Sequence, residues 1–431
     1  MVVRARWALW TFVLVNVVIV EVLFFTAGAG KNDVLTVAKF FGLHAALLLF
    51  IQLLLIARLP WLDRRIGMDR LTVWHRWVGF GLFWTILTHA FIVVLGYAVL
   101  DDASMISTFL ALAGVPASLL GMCAALLVVV VATVSTRSVR RRLRYETWHA
   151  LHMLVYVVLA LAFTHQLLET TTFTSSPFAF AYWWVLWLFS FGALIAGRVV
   201  LPLVRNRRHQ FRVEAVVPES DNVVSVYVTG RDLDRLPARA GQFFVWRFPG
   251  HHGWWRANPF SLSAAPGGGQ LRLTAKAVGD TSASLRHLRV GSRAFLEGPY
   301  GAFTSLQRTC RGTLLIAGGV GITPIRALLE EGMPGDVVVL YRVRDERDAV
   351  LLDEVRSLVA ARGGRLHLLT GRTADGARPF TPDGLRGLVP DLTDRDVYVC
   401  GPAAMTATVR ASLKALGVPE RQVHSERFAL V

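Results

Sequence analysis

The chain has 431 residues, of which 54% are hydrophobic, with 46 Lys and Arg against 30 Asp and Glu and only three cysteines. So large an apolar share excludes an ordinary soluble protein, and the length suits two or three domains. The formal net charge of +16 stands in blocks beside apolar runs, a pattern of membrane topology rather than of nucleic-acid binding.

The apolar runs fill residues 1–205, with candidate membrane spans at 7–27, 34–57, 71–100, 109–135, 145–168 and 178–203. The first is long, lacks a small-residue cleavage site and is followed by further spans, so it reads as a helix and not as a signal peptide. Arg4 and Arg6 precede the first span, and Arg58, Arg64, Arg65 and Arg70 follow the second. Arg137, Arg140, Arg141, Arg142 and Arg144 follow the fourth, and Arg205, Arg207 and Arg208 follow the sixth. The alternate loops hold only Lys31 among Lys and Arg. The positive-inside rule then predicts a multi-pass protein of a cell membrane, with both termini cytoplasmic.

The third span, LTVWHRWVGFGLFWTILTHAFIVVLGYAVL, carries His75 and His89. Fourteen residues rise about 21 Å and return to within about 40° of the starting direction, so both rings face one way at two depths. The fifth span, YETWHALHMLVYVVLALAFTHQLL, runs in the same direction and carries His149, His152 and His165. His75 and His152 share the inner level, and His89 and His165 the outer one. Two histidine pairs at two levels of an apolar bundle are the arrangement that two stacked haems need. The thirteen residues from His152 to His165 turn about 140° away from a common face on a straight helix. The pairing therefore predicts a bent or π-bulged fifth span or a long reach of the ring, and spacing alone leaves His149 open as the inner ligand. Glu21, Lys39 and His44 lie in the outer halves of the first two spans, where ionisable groups mark candidate functional positions.

Cys123, Cys310 and Cys400 stand far apart, without the ligand spacing of an iron–sulfur cluster or a structural zinc site. Residues 209–308 alternate in short strand-like runs such as FRVEAVV, VVSVYVTG and QFFVWRF, which predicts a small antiparallel barrel. Residues 313–431 alternate strands with helices, as in a parallel doubly wound sheet. This segment opens with TLLIAGGVGITPIRALLEE, a strand, a glycine turn and an amphipathic helix. Such a turn lets backbone approach a pyrophosphate at a helix N-terminus. VYVCGPAAM at 397–405 is a second strand-to-turn element and puts Cys400 at the same edge.

On these motifs, in this order, the soluble half resembles the ferredoxin–NADP reductase superfamily. The whole chain resembles the ferric reductase and NADPH oxidase family of transmembrane flavocytochromes b. The resemblance implies three domains: a six-helix transmembrane haem bundle at 1–205, an antiparallel β-barrel FAD domain at 209–308, and an α/β doubly wound NAD(P)-binding domain at 313–431. It places Phe260, Ser261 and Ser263 of NPFSLS against the flavin. Lys276, Gly279, Asp280, Thr281 and Ser282 fall at the FAD pyrophosphate, and Gly298, Pro299, Tyr300 and Gly301 in the turn closing the barrel. Gly318, Gly319, Gly321, Thr323 and Pro324 fall at the NAD(P)H pyrophosphate, and Cys400, Gly401 and Pro402 near the nicotinamide. Asn258 stands where the family carries a cation, a role left to Arg256 or Lys276, and Phe428 is the candidate aromatic over the flavin. Arg342 and Arg344 favour NADPH over NADH through a 2′-phosphate, with Asp345 as the counter-indication.

The implied activity is that of a transmembrane NAD(P)H oxidoreductase, with FAD, two haems b and NADPH or NADH as cofactors. Electrons would run from NAD(P)H through FAD and the two haems to dioxygen or a ferric chelate outside. The alternative is a membrane-tethered flavin reductase that feeds a cytoplasmic partner protein, with the histidines structural.

Overall fold

The computed structural model describes residues 2–143, 145–169, 173, 175–251, 258–372, 376 and 378–426. Arg144, Arg256 and Phe428 lie outside the described residues. The chain forms two compact units, Met1–Arg58 with Arg70–Ala196, and Leu59–Asp69 with Gly197–Val431.

The first unit is helical: α1 (Val2–Thr26), α2 (Asp33–Ile56), α4 (Met68–Leu100), α5 (Met105–Ala113), α6 (Pro116–Ser135), α7 (Arg137–Arg140), α8 (Tyr145–His152), α9 (Val155–Glu169) and α10 (Pro177–Ile195). The number α3 belongs to Pro60–Ile66, which lies in the second unit. Six stretches are long and apolar enough to cross a bilayer: Trp7–Thr26, Asp33–Ile56, Arg70–Leu100, Pro116–Ser135, Glu146–Leu168 and Pro177–His209. Helices suit this setting because they satisfy their own backbone groups where no water reaches. Their starts carry local signals. Asn32 and Ser176 accept the N–H of Leu35 at 2.7 Å and of Ala179 at 3.1 Å, and Pro116 and Pro177 occupy first turns. Trp77, Phe80, Trp84 and Phe91 lie exposed along α4. Trp77 follows His75 and Phe91 follows His89 by two positions, so the histidine row lies about 160° around the helix from this apolar row. Large apolar side chains turned outward and polar ones turned inward are what lipid requires, and the chain is a membrane protein.

The second unit begins with α3 and resumes with α11 (Leu201–His209), which follows a π-helical stretch at Ala196–Val200. Asn206 on α11 bonds both backbone groups of Leu296, donating to its carbonyl at 2.7 Å and accepting its N–H at 2.9 Å. Six antiparallel strands follow: β1 (Arg212–Ser220), β2 (Val223–Thr229), β3 (Phe243–Arg247), β4 (Asn258–Ser261), β5 (Gln270–Lys276) and β6 (Phe295–Tyr300). They form two three-stranded sheets, in the orders β1-β2-β5 and β4-β3-β6. The antiparallel strands expected from sequence are present, arranged among the described residues as two sheets that do not close into one barrel. Among the described residues they are stitched by the bridge Leu262↔Leu273. Val224, Val226 and Val228 of β2 and Leu271, Leu273 and Ala275 of β5 pack with Phe244, Trp246 and Leu296 in one core. Period-two alternation supplies those inward positions.

The remaining elements are β7 (Gly312–Gly318), α13 (Ile322–Glu331), β8 (Val337–Arg342), α14 (Leu352–Ala360), β9 (Arg365–Leu369), α15 (Pro382–Leu388), β10 (Arg395–Cys400), α16 (Ala403–Ala415) and β11 (Val423–Glu426). The short helix α12 (Asp280–Ser284) precedes them, between β5 and β6. The sheet is parallel, in the order β11-β10-β7-β8-β9. Leu315, Ala317, Val339 and Tyr341 face α13 and α14, whereas Leu314, Ile316, Val338 and Leu340 face α15 and α16. The sheet is therefore covered on both faces, the doubly wound arrangement. Its strand order reverses between β7 and β10, and ligands bind at the carboxyl ends of strands at such a switch point.

Candidate functional site

In the first unit the ring of His75 on α4 faces that of His152, the last residue of α8, with centroids 6.4 Å apart and planes at 73°. His152 also has its Nδ1 3.3 Å from Ser135 Oγ and stacks on Trp148 at 5.3 Å. The Arg140 guanidinium lies 4.4 Å from the Trp148 centroid, and His149 is exposed beside the same indole. The fifth span is broken at Met153–Leu154. The N–H groups of Leu154, Tyr156 and Val157 bond three residues back, at 3.2, 3.0 and 2.9 Å. Each such step turns about 120° instead of about 100°, which carries His165 part of the way back toward the His152 face. The expected irregularity is a tightened turn, not a π-bulge.

At the other level His89 Nδ1 lies 2.9 Å from the Ala38 carbonyl of α2, and His165 Nδ1 lies 2.8 Å from the Ala117 carbonyl of α6. A carbonyl only accepts, so each Nδ1 carries a proton, and in the neutral imidazole Nε2 is then the nitrogen with the lone pair. Glu21 and His44 meet across α1 and α2, Oε1 to Nε2 at 3.3 Å, and Lys39 Nζ donates to the Gly28 carbonyl at 2.7 Å. Among the described residues, no group of three or more His, Cys, Asp or Glu side chains is placed to hold a metal ion.

In the second unit the residues expected at a flavin divide into two sets. Ser261 is buried with no hydrogen-bond partner for its hydroxyl, Phe260 is half-buried, and Lys276 ends β5 half-buried with no ion-pair partner among the described residues. Gly279 and Asp280 open α12 at the surface, with open space around Gly279. Thr281 continues α12, and its carbonyl accepts the Ser284 hydroxyl at 2.9 Å. The other set is engaged with protein. Ser263 Oγ accepts from Thr274 Oγ1 at 2.7 Å and from Arg272 Nε at 3.1 Å. Ser282 turns its hydroxyl back on Val278 and Gly279. Gly298 offers its carbonyl to Arg205. Gly301 donates to Asp63 Oδ2 at 2.9 Å and accepts from Gln242 Nε2 at 3.1 Å. Asp63 sits on α3, the segment between the second and third spans, and is buried against this turn.

At the switch point, β7 and β10 run side by side with Ala317 opposite Cys400. Gly319 has φ of 54°, the left-handed region open to glycine. A Cβ on Gly318 would come 2.7 Å from Met405 Sδ, one on Gly401 would come 2.6 Å from Met405 Cε, and one on Gly321 would strike the Cys400 carbonyl. The glycines are thus needed for two turns to nest at one strand-end edge. Pro324 is buried, Thr323 donates to the Val320 carbonyl at 3.0 Å, Cys400 is fully buried, and Pro402 precedes α16. At the end of β8, Arg342 donates to the Thr370 carbonyl at 2.6 Å, and Arg344 is exposed, without a side-chain partner among the described residues. Asp345 is bonded to Arg347 at 3.2 Å.

A cluster that sequence reading missed joins the strands to the nucleotide half. Arg272 on β5 is buried and makes a two-pronged bond to Glu354 of α14, both contacts at 3.0 Å, and donates to the Tyr227 hydroxyl at 3.2 Å. Glu354 also accepts from Arg326 Nε at 2.7 Å, and Arg326 pairs with Glu330, whose carboxylate receives the Ala265 N–H at 2.5 Å. Burial alone would raise the Glu354 carboxyl, but the Arg272 and Arg326 guanidiniums outweigh it and hold it below the ordinary range. No spacing motif marks such a pair, because its members are 82 residues apart.

Two family descriptions match the chain: a ferric reductase-like transmembrane component over residues 41–163 and an oxidoreductase NAD-binding domain over 315–411. The ferredoxin reductase component of the 3-ketosteroid-9-alpha-monooxygenase of Mycobacterium tuberculosis is 33% identical over 236 residues, covering 51% of this chain and 65% of that protein. The ferredoxin–NAD(+) reductase component of the alkene monooxygenase system of Xanthobacter autotrophicus is 30% identical over 240 residues, covering 52% of this chain and 70% of that protein. Among solved structures, the flavohaem-like FAD/NAD-binding domain of the nitric oxide dioxygenase of Vibrio cholerae has 25% identity and a TM-score of 0.43, over 50% of this chain and 96% of that one. The chain spans just under two thirds of the mycobacterial relative's length. Its C-terminal half belongs with the ferredoxin–NAD(+) reductase components, and residues 41–163 are similar to the ferric reductase-like transmembrane component.

Proposed function

We propose that the chain is an NAD(P)H oxidoreductase of the cell membrane. It would bind FAD and two haems b and pass electrons from the cytoplasmic side to an external acceptor, dioxygen or a ferric chelate. The observation that carries this reading is the facing of the His75 and His152 rings in the helical unit, with His89 and His165, farther along the same two spans, each bonded to a backbone carbonyl. A metal bound between two imidazoles, about 2 Å from each nitrogen, sets ring centroids roughly 6 Å apart, close to the 6.4 Å between His75 and His152. With a macrocycle supplying four further ligands, two histidines per level are enough. His89 and His165 would serve the second level. The hydroxyl of Ser261 and the charge of Lys276, both without a partner among the described residues, and the two glycine turns at the switch point support FAD and NAD(P)H as the other cofactors.

Bound at these positions, nicotinamide, flavin and haem would supply hydride donation, conversion of two electrons to single ones, and one-electron transfer. The chain's own part is placement. Gly318, Gly319 and Gly321 leave room for a pyrophosphate at the start of α13, and Arg344 meets a 2′-phosphate, which favours NADPH. Phe260 and Ser261 would orient the flavin, and Lys276 would balance its pyrophosphate. His75, His89, His152 and His165 would hold the two haems, which would supply one-electron transfer to the acceptor. No side chain has to move a proton in those steps.

A second reading is favoured by the relatives, which are named as reductase components of monooxygenase systems: a membrane-tethered reductase that feeds a partner protein. A reduced-minus-oxidised spectrum of the purified protein, with NAD(P)H as reductant, separates the two. Sharp haem bands that weaken in His75→Ala and His89→Ala support the transmembrane path. Flavin bleaching alone supports the tethered reductase.

A further inference from the structure

We propose that Gly42 and Gly121 are positioning residues that seat the outer histidines, each helix offering a carbonyl and, four residues later, a position without a side chain. The inference rests on the two-haem reading above. His89 on α4 donates to the Ala38 carbonyl of α2, and His165 on α9 donates to the Ala117 carbonyl of α6. In both helices the residue four positions on is a glycine, in AKFFG and ASLLG. In an α-helix every Cα–Cβ bond tilts toward the N-terminus, so a side chain at the fourth position covers the carbonyl one turn before it. A glycine there uncovers that carbonyl and lets a flat ring lie against the helix.

The distances bear this out at both seats. A Cβ on Gly42 would stand 2.9 Å from His89 Cε1 and 3.0 Å from Nδ1. A Cβ on Gly121 would stand 3.0 Å from both Cε1 and Nδ1 of His165 and 3.3 Å from its Cγ. The same device therefore occurs on two helices, once for each histidine of the outer pair. Its effect is to hold Nδ1 as the donor and leave Nε2 as the lone-pair nitrogen, the orientation that a metal-binding imidazole needs. The inner pair is held differently: His152 Nδ1 meets a serine hydroxyl at 3.3 Å, and Gly79, four residues after His75, lies against Gln52 and not against an imidazole.

Gly42→Ala and Gly121→Ala test the seat. The controls are Gly81→Ala and Gly192→Ala, where an added Cβ meets nothing within 4 Å. Haem and FAD per chain are measured on the purified, detergent-solubilised full chain, and ferric low-spin signals are recorded by low-temperature electron paramagnetic resonance. Loss of an imidazole's oriented hydrogen bond weakens metal-site affinity by about 10–100-fold. The expected result is that each variant loses or shifts one of two haem signals and keeps FAD and the other haem. Both haem signals unchanged in both variants would overturn the seat while leaving the two-haem reading intact. Loss of both haems together with FAD would also overturn it, because it would mark general packing. Wild-type protein that holds no haem would overturn the two-haem reading and the seat with it.

Discussion

Glu354→Leu is the sharpest probe of how the reductase half is held together. The substitution removes both acceptors of the Arg272 fork, at 3.0 Å each, and one acceptor of Arg326. Arg326 keeps Glu330, but among the described residues Arg272, with its side chain 5% exposed, keeps Ser263 and Tyr227 alone. Removing one partner of a buried ion pair costs about 3–5 kcal/mol. The Glu354 side chain is 37% exposed, and solvent screening brings the expected loss to about 2 kcal/mol. At roughly 2–4 °C per kcal/mol for a unit of this size, Tm falls by about 4–8 °C. The assay is a thermal melt followed by release of flavin fluorescence, with Arg272→Met and the Arg272→Met/Glu354→Leu double variant alongside. Replacing both partners with apolar groups leaves no stranded charge, so the double variant should lose less than the sum of the two single variants. A Glu354→Leu melt unchanged within about 1 °C, or a double variant at the full sum, would refute the reasoning behind that scale.

Lys276→Ala should lower FAD retention through gel filtration by about tenfold or more, the scale of one lost charge-assisted bond, and unchanged flavin content would contradict that role. Arg344→Ala should reduce kcat/KM for NADPH relative to NADH by about tenfold, and an unchanged ratio would remove the 2′-phosphate assignment. Acid should destabilise the reductase half. Burial raises the carboxyls of Glu354 and Asp396, but Arg272 and Arg326 in one case, and His424 with the Cys310 and Thr309 N–H groups in the other, outweigh it and depress both. The stability these groups supply is present above the ordinary carboxylate range and is lost as pH falls through their lower folded values, so Tm should drop below about pH 4. A flat Tm between about pH 5 and 3 would count against both clusters.

The parts of this fold legible in the sequence are those written in local pattern. Apolar run length marks the membrane helices, period-two alternation marks β2 and β5, and the strand–glycine–helix run at 313–331 marks the nucleotide turn. The facing of His75 and His152 was legible because helix geometry converts spacing into facing. What remained hidden depends on contacts across long separations. Arg272 and Glu354 look like two surface charges, Asp63 like a loop acid beside arginines, and Gly42 and Gly121 like helix-weakening residues in apolar runs. Only the folded chain puts a guanidinium under Glu354, the Gly301 N–H on Asp63 and an imidazole on each glycine. The two-sheet form of residues 212–300 was hidden for a related reason, since alternation fixes which face is buried but not which strands pair.

The central claim is a path for electrons across the bilayer, and sidedness tests it most directly. Proteoliposomes carrying the full chain would receive NADPH outside, with an impermeant ferric chelate trapped inside, and only chains whose nucleotide half faces outward would react. The path predicts reduction of the trapped chelate at a rate that collapses in His89→Ala while flavin reduction by NADPH persists. Reduction confined to chelate added on the NADPH side, and unaffected by His89→Ala, would contradict it.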